Sequence, residues 1–155
     1  MGICSSKNVK NKDIKINIPP NSKPIKFTPP IKYGKVIKVY DGDTITIVTN
    51  LEYDQKIPYK FSIRLRGIDC PEIRTKDTNE KQIALLAKKY VYNLCFDKIV
   101  YIKNIDYDKY GRILADVYIN DINIADKLLI MKYAIKYDGK SKPINFDWCK
   151  YCYAD

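Results

Sequence analysis

The residues able to do chemistry in this chain are carboxylates and arginines, and they fall in three short stretches. Asp41-Gly42-Asp43 sets two acids around one glycine. Arg64-Leu65-Arg66-Gly67-Ile68-Asp69-Cys70-Pro71-Glu72 runs from an apolar and basic alternation into two acids that bracket Cys70-Pro71. Proline cannot donate to a strand ladder, so it stops the strand and stiffens the turn. The third stretch is Asp108-Lys109-Tyr110-Gly111-Arg112. A planar guanidinium grips two phosphate oxygens at once, and two of them, Arg64 and Arg112, can bind charge that builds up in phosphoryl chemistry. Clustered acids repel one another unless a cation takes them up, and calcium accepts carboxylate and carbonyl oxygens in loose geometry. A metal, a carboxylate base and two arginines make a phosphodiesterase site. Singly, each residue has an ordinary reading: Asp-Gly turns are common, and a lone arginine usually pairs with a surface acid.

Histidine is absent. That excludes a histidine base, a histidine nucleophile and a histidine-ligated zinc, and leaves carboxylates, arginine, lysine, tyrosine and water to carry any reaction. Hard, oxygen-ligated ions such as calcium or magnesium suit such a chain. The five cysteines, Cys4, Cys70, Cys95, Cys149 and Cys152, are odd in number and scattered, so free thiols are expected. Cys149-Lys150-Tyr151-Cys152 has no second pair and no histidine, which makes two ordinary thiols a better reading than a zinc or redox motif.

Several elements must position these stretches. Tyr33 to Val39 and Thr44 to Val48 read as two strands around the tight Asp-Gly turn, and Tyr59 to Arg66 as a third leading into Asp69 and Glu72. Asp77 and Glu80 have capping-box spacing, with Ile83, Leu86, Ala87, Tyr90 and Leu94 following at helical intervals. Ile99 to Ile102 and Ile113 to Ile119 read as strands joined at Tyr110-Gly111, and Ile124 to about Lys132 as a shorter helix. Residues 138–155 read as loop. Five strands with a helix after the third suit an α+β fold built on a five-stranded, OB-type Greek-key barrel with at least two packed helices.

With 155 residues and 46% hydrophobic content, one domain with a real core and a tail is expected. The expected division is a tail over 1–32, a domain over 33–137 and an extension over 138–155. The formal charge of +10 sits mostly in the tail. Residues 1–40 hold nine Lys and one Asp, net +8, so the remaining 19 Lys and Arg against 17 Asp and Glu leave only +2. No apolar run approaches a membrane span or a signal peptide, so an intracellular, reducing setting is expected. Met1-Gly2-Ile3-Cys4-Ser5-Ser6 matches the N-myristoylation pattern at Gly2, with Cys4 as a palmitoylation candidate. One acyl chain binds marginally; Cys4 or the basic run Lys7, Lys10, Lys12 and Lys15 would supply the second signal. Pro19, Pro20, Pro24, Pro29 and Pro30 suit an extended spacer.

Three motifs in order, Val39-Tyr40-Asp41-Gly42-Asp43-Thr44, Arg64 to Glu72 and Asp108 to Arg112, with a helix between the second and third, carry a resemblance to the staphylococcal nuclease (thermonuclease-like) family. It covers about Tyr33 to Tyr137. The resemblance implies an OB-fold nuclease that needs one calcium ion and cleaves phosphodiester bonds in DNA and RNA. It implies that Asp43, Asp69 and the Cys70 backbone carbonyl ligate the ion, with Asp41 behind them. Glu72 would orient or deprotonate the attacking water, Arg64 and Arg112 would bind the phosphate, and Lys109, Tyr110 and Tyr137 would line the nucleotide site. The chain departs from the family at Cys70, where threonine or alanine is usual, at Ile135, where a tyrosine lies near the nucleotide, and in lacking a clear counterpart of the long final helix. The whole reads as a calcium-dependent nuclease on the cytoplasmic face of a membrane, in a eukaryote or a virus that infects one. The rivals are a catalytically silent OB-type binding module and a lipid-anchored adaptor.

Overall fold

The computed structural model describes residues 17–140 and 146–153. Residues that alternate between apolar and polar form the first strands: β1 (Tyr33–Val39), β2 (Thr44–Leu51) and β3 (Asp54–Leu65). They pair antiparallel in sequence order, with Thr44 opposite Arg64 and Ile45 opposite Ile63. β3 is longer than the expected Tyr59 to Arg66, because the β2–β3 hairpin continues as an exposed ribbon as far as the Leu51–Asp54 pair. After a two-residue strand β4 (Ile68–Asp69) comes helix α1 (Thr78–Cys95), then β5 (Ile99–Tyr107) and β6 (Ile113–Ile119). Two short pieces, β7 (Ile122–Asn123) and β8 (Ile135–Lys136), flank α2 (Ile124–Ile130).

Strand order β3-β2-β1-β5-β6 closes into a barrel because β3 and β6 also pair, in parallel, with Ile63 opposite Ile113, Arg64 opposite Leu114 and Leu65 opposite Ala115. This is the expected α+β, OB-type barrel. Side chains alternate across a strand, so Ile63, Leu65, Ile113 and Ala115 enter the buried core with Val36, Ile45, Ile47, Val100 and Val117. Arg64 and Leu114 face the opposite way, and Arg112 lies two residues before Leu114. The closure therefore sets both arginines on one outer face. A bulge between Lys103 and Asp106, with Asn104 at φ +53°, bends β5 around the barrel.

Helix α1 begins where Asp77 accepts hydrogen bonds from the backbone N–H groups of Asn79 and Glu80. The reciprocal half of the capping box is not made: the Glu80 carboxylate instead accepts the Glu72 N–H, 3.0 Å away. The buried face is Ile83, Ala84, Ala87, Val91 and Cys95, with Tyr90 and Leu94 partly buried against the core; of the expected stripe only Leu86 points outward, at 40% exposure. Two alanines on that face let the helix approach the barrel closely, which favours small side chains over the larger Leu86.

Residues 138–155 are not all loop. Trp148–Tyr153 form helix α3, which packs on α1. Trp148 is 6% exposed and makes edge contacts with Phe146 and Tyr151. The end of the proline-rich segment also docks on the barrel instead of standing off it. Pro29 and Ile31 are buried, the Phe27 carbonyl accepts the Tyr107 hydroxyl at 2.9 Å, and the Lys32 carbonyl accepts the Ile102 N–H at 2.9 Å. No helix among the described residues is long and apolar enough to cross a membrane. Gly2, Cys4 and the basic run Lys7 to Lys15 lie outside the described residues.

Candidate active site

Two loops at one end of the barrel supply most of the site. In the β1–β2 turn the Asp41 carboxylate accepts the Asp43 N–H at 3.2 Å, and the Thr44 hydroxyl donates to Asp43 Oδ1 at 2.9 Å. Gly42 between them is required by space: a Cβ there would lie 2.8 Å from Cys70 Sγ and 2.9 Å from the Ala87 Cβ. The turn is thus wedged between α1 and the second loop. After β3, Gly67 takes a left-handed φ of +77°, which turns the chain sharply into β4. Asp69 then comes back beside Asp43, and the Cys70 N–H donates to Asp43 Oδ2 at 3.3 Å.

Arg64 lies across both acids. Its guanidinium is 2.5 Å from Asp43 Oδ2 and 2.8 Å from Asp69 Oδ1, and it also donates to the Ile68 carbonyl at 3.3 Å. Asp43 and Asp69 are almost fully buried, at 4% and 3% exposure. Burial would lower the Arg64 pKa, but the charge of Asp43 and the hydrogen bond and charge of Asp69 outweigh it, so the pKa rises and the side chain is a fixed cation. Asp41 is pushed up to about 6, first by burial and then by the charge of Asp43. Burial, then the charges of Asp43 and Asp41, raise the Cys70 thiol well above its ordinary value, which keeps it protonated and a poor ligand for soft metals. The described cysteines are free thiols.

Arg112 is placed by Asp108. One Asp108 oxygen accepts the N–H groups of Tyr110 and Arg112, each at 2.9 Å, and the other accepts Arg112 Nε at 2.6 Å. Burial alone would raise the Asp108 pKa, but the backbone and side-chain hydrogen bonds from Arg112 bring it below the ordinary carboxylate value. Asp108 is the residue whose part was missed in the sequence, although an acid four residues before an arginine across a tight turn was a readable signal.

One cavity of about 620 Å³ brings the pieces together. Asp41, Arg64, Asp69, Glu72, Lys109, Tyr110, Arg112 and Tyr137 line it, as do Tyr40 and Arg66, which had no expected role. Tyr137 is held there by its N–H to the Gly67 carbonyl at 2.9 Å. Asp43 and Cys70 are buried and do not line the cavity. Arg66 pairs with Asp116 at 3.8 Å and donates to the carbonyl of Asn104 at the β5 bulge, a structural duty. The arrangement can bind a phosphate between two arginines and present a carboxylate, Glu72, to water. Among the described residues no three acidic or cysteine side chains stand in geometry ready to hold an ion; Arg64 occupies that position between Asp43 and Asp69.

In sequence the chain is similar to several known proteins. A protein of Methanocaldococcus jannaschii described as uncharacterised is 35% identical over 130 residues, covering 68% of this chain and 59% of that protein. A probable staphylococcal-like nuclease of Oryza sativa subsp. japonica is 34% identical over 49% of this chain and 19% of its own length. A probable endonuclease of Schizosaccharomyces pombe is 27% identical over 69% of this chain and 56% of its own. The chain thus spans less than two thirds of each of these relatives. The family model described as staphylococcal nuclease homologue matches residues 62–148, which runs from the end of β3 to the first residue of α3. By that match, by the OB-type barrel and by the two loops that meet at its end, the chain belongs to the staphylococcal nuclease homologue family.

Proposed function

We propose that the chain is a calcium-dependent nuclease that hydrolyses phosphodiester bonds in DNA or RNA, held on a membrane by an acylated N-terminus. One observation carries the hydrolytic part: Arg64, Arg112 and Glu72 line a single cavity together with Asp69 and Asp41. The names of the rice and fission-yeast relatives support the same reaction class.

Asp43, Asp69 and the Cys70 carbonyl offer only oxygen, the donor type a hard divalent ion takes, and such an ion would have to share these acids with Arg64 or displace it. Asp41 is raised first by burial and second by the charge of Asp43, and a bound ion would relieve the second of these. Asp43, Asp69 and the Cys70 carbonyl would hold it, Arg64 would share the two acids with it, and Asp41 would steady Asp43 through the turn. A bound ion supplies positive charge that stabilises the phosphate as charge develops. Arg64 and Arg112 bind the phosphate oxygens and oppose the charge that builds there. Glu72 takes the proton of the attacking water as the water oxygen bonds to phosphorus; the ester P–O bond breaks and the departing oxygen takes a proton from solvent. Lys109, Tyr110 and Tyr137 flank the nucleotide.

Purified protein is expected to degrade DNA or RNA with calcium and to stop when chelator is added. Full activity in chelator, or none with any divalent ion, would overturn the proposal. The ion pairs of Arg64 with both acids favour one other reading, a binding module in which the network is purely structural. Such a module would bind nucleic acid and cut it under no condition.

The membrane part rests on Gly2, Cys4 and the lysines of the tail. Gly2→Ala should release the protein from membranes in a eukaryotic cell, and unchanged partition between membrane and soluble fractions would refute the anchor.

A further inference from the structure

A second, smaller hollow of about 290 Å³ adjoins the cavity on the side of Glu72 and is not used by the mechanism above. Three cations line it, each from a different element: Lys38 from β1, Arg74 from the loop after β4, and Lys88 from α1. None of the three takes part in an ion pair among the described residues, whereas the three other arginines, Arg64, Arg66 and Arg112, all do. Lys88 is half-buried, whereas Lys38 and Arg74 are exposed. Against these three cations stand two carboxylates, Asp41 and Glu72, on the wall shared with the cavity, so the lining keeps an excess of positive charge that an anion would offset. Tyr40, Asp41 and Glu72 line both hollows and form the wall between them. The Tyr40 ring stands 5.6 Å from Lys38 Nζ and offers an aromatic face beside the charge.

We infer that Lys38, Arg74 and Lys88 form a subsite for a phosphate of the same nucleic-acid strand, next to the phosphate bound between Arg64 and Arg112. The shared wall decides for a strand over a free anion or a lipid headgroup: a chain leaving the cavity past Glu72 enters this hollow without crossing other surface. The subsite rests on the nuclease reading for its ligand. Its effect is on binding of long substrates and not on the chemical step, since no member of the triad lines the main cavity.

The test compares wild type with the double variant Arg74→Gln/Lys88→Gln. A single-stranded oligonucleotide of about ten residues is titrated in chelator by fluorescence anisotropy at several salt concentrations. The variant should bind about tenfold more weakly, with its salt slope smaller by about 1. Hydrolysis of a nitrophenyl ester of thymidine 5′-phosphate, which has no neighbouring phosphate, should be unchanged, and with polynucleotide the loss should fall on KM and not kcat. Arg74→Lys/Lys88→Arg should restore the affinity. Unchanged oligonucleotide affinity and salt slope would overturn the subsite, as would an equal loss on the small ester. Loss of binding to phosphatidylserine vesicles with oligonucleotide binding intact would also overturn it, and assign the patch to the membrane. If wild type hydrolyses neither substrate yet the binding difference persists, the nuclease reading fails and the subsite stands.

Discussion

Arg64 concentrates the competing demands on this molecule. A buried acid left without its partner costs several kcal/mol, and Arg64 is the partner of two, Asp43 and Asp69. Arg64→Ala should therefore lose about 3–5 kcal/mol in urea denaturation, besides any loss of activity, so its kinetics must be read where the variant is folded. Asp108 gives a pH test. Its pKa is depressed in the folded state, so it contributes stability that is present above the ordinary carboxylate value and is lost as pH falls through the folded one. The difference in Tm between wild type and Asp108→Asn should be constant near neutrality and shrink below about pH 4. The three stretches were legible in sequence, but their residues singly had ordinary readings, and the role of each came only with the family resemblance. The pairing of Arg64 with Asp43 and Asp69 was not legible, since it depends on how closely Gly42 lets the two loops approach.

At the scale of elements, patterns with period two mark the main strands but neither their order nor the closure of the barrel. The parallel β3–β6 pairing could not be read from periodicity, yet it is what sets Arg64 and Arg112 on one face. α1 is legible from its cap and spacing, and of its expected stripe only Leu86 points outward; Ala87 packs against Gly42, where a larger side chain has no room. α3 was missed: six residues are too few to show a helical period. Its anchor is Trp148, buried against Phe146 and Tyr151. Trp148→Ala should cost about 3 kcal/mol by urea denaturation, and a loss under 1 kcal/mol would mean that α3 only rests on α1.

Across the whole molecule, charge and structure divide the chain differently. Basic charge is concentrated before residue 41, while packing begins at about Phe27. Deleting residues 1–22 should leave Tm unchanged, whereas deleting 1–32 should lower it, because Ile31 and the Lys32 carbonyl leave with the segment. Equal Tm values for the two deletions would show that the docked segment adds nothing. The central claim is that this barrel end cuts nucleic acid with Glu72 activating the water. Its most direct test measures cleavage and binding of one oligonucleotide by wild type and by Glu72→Gln, in calcium. The account predicts equal binding and a cleavage rate lower by about 10²–10⁴-fold in the variant; cleavage by Glu72→Gln at the wild-type rate would contradict it.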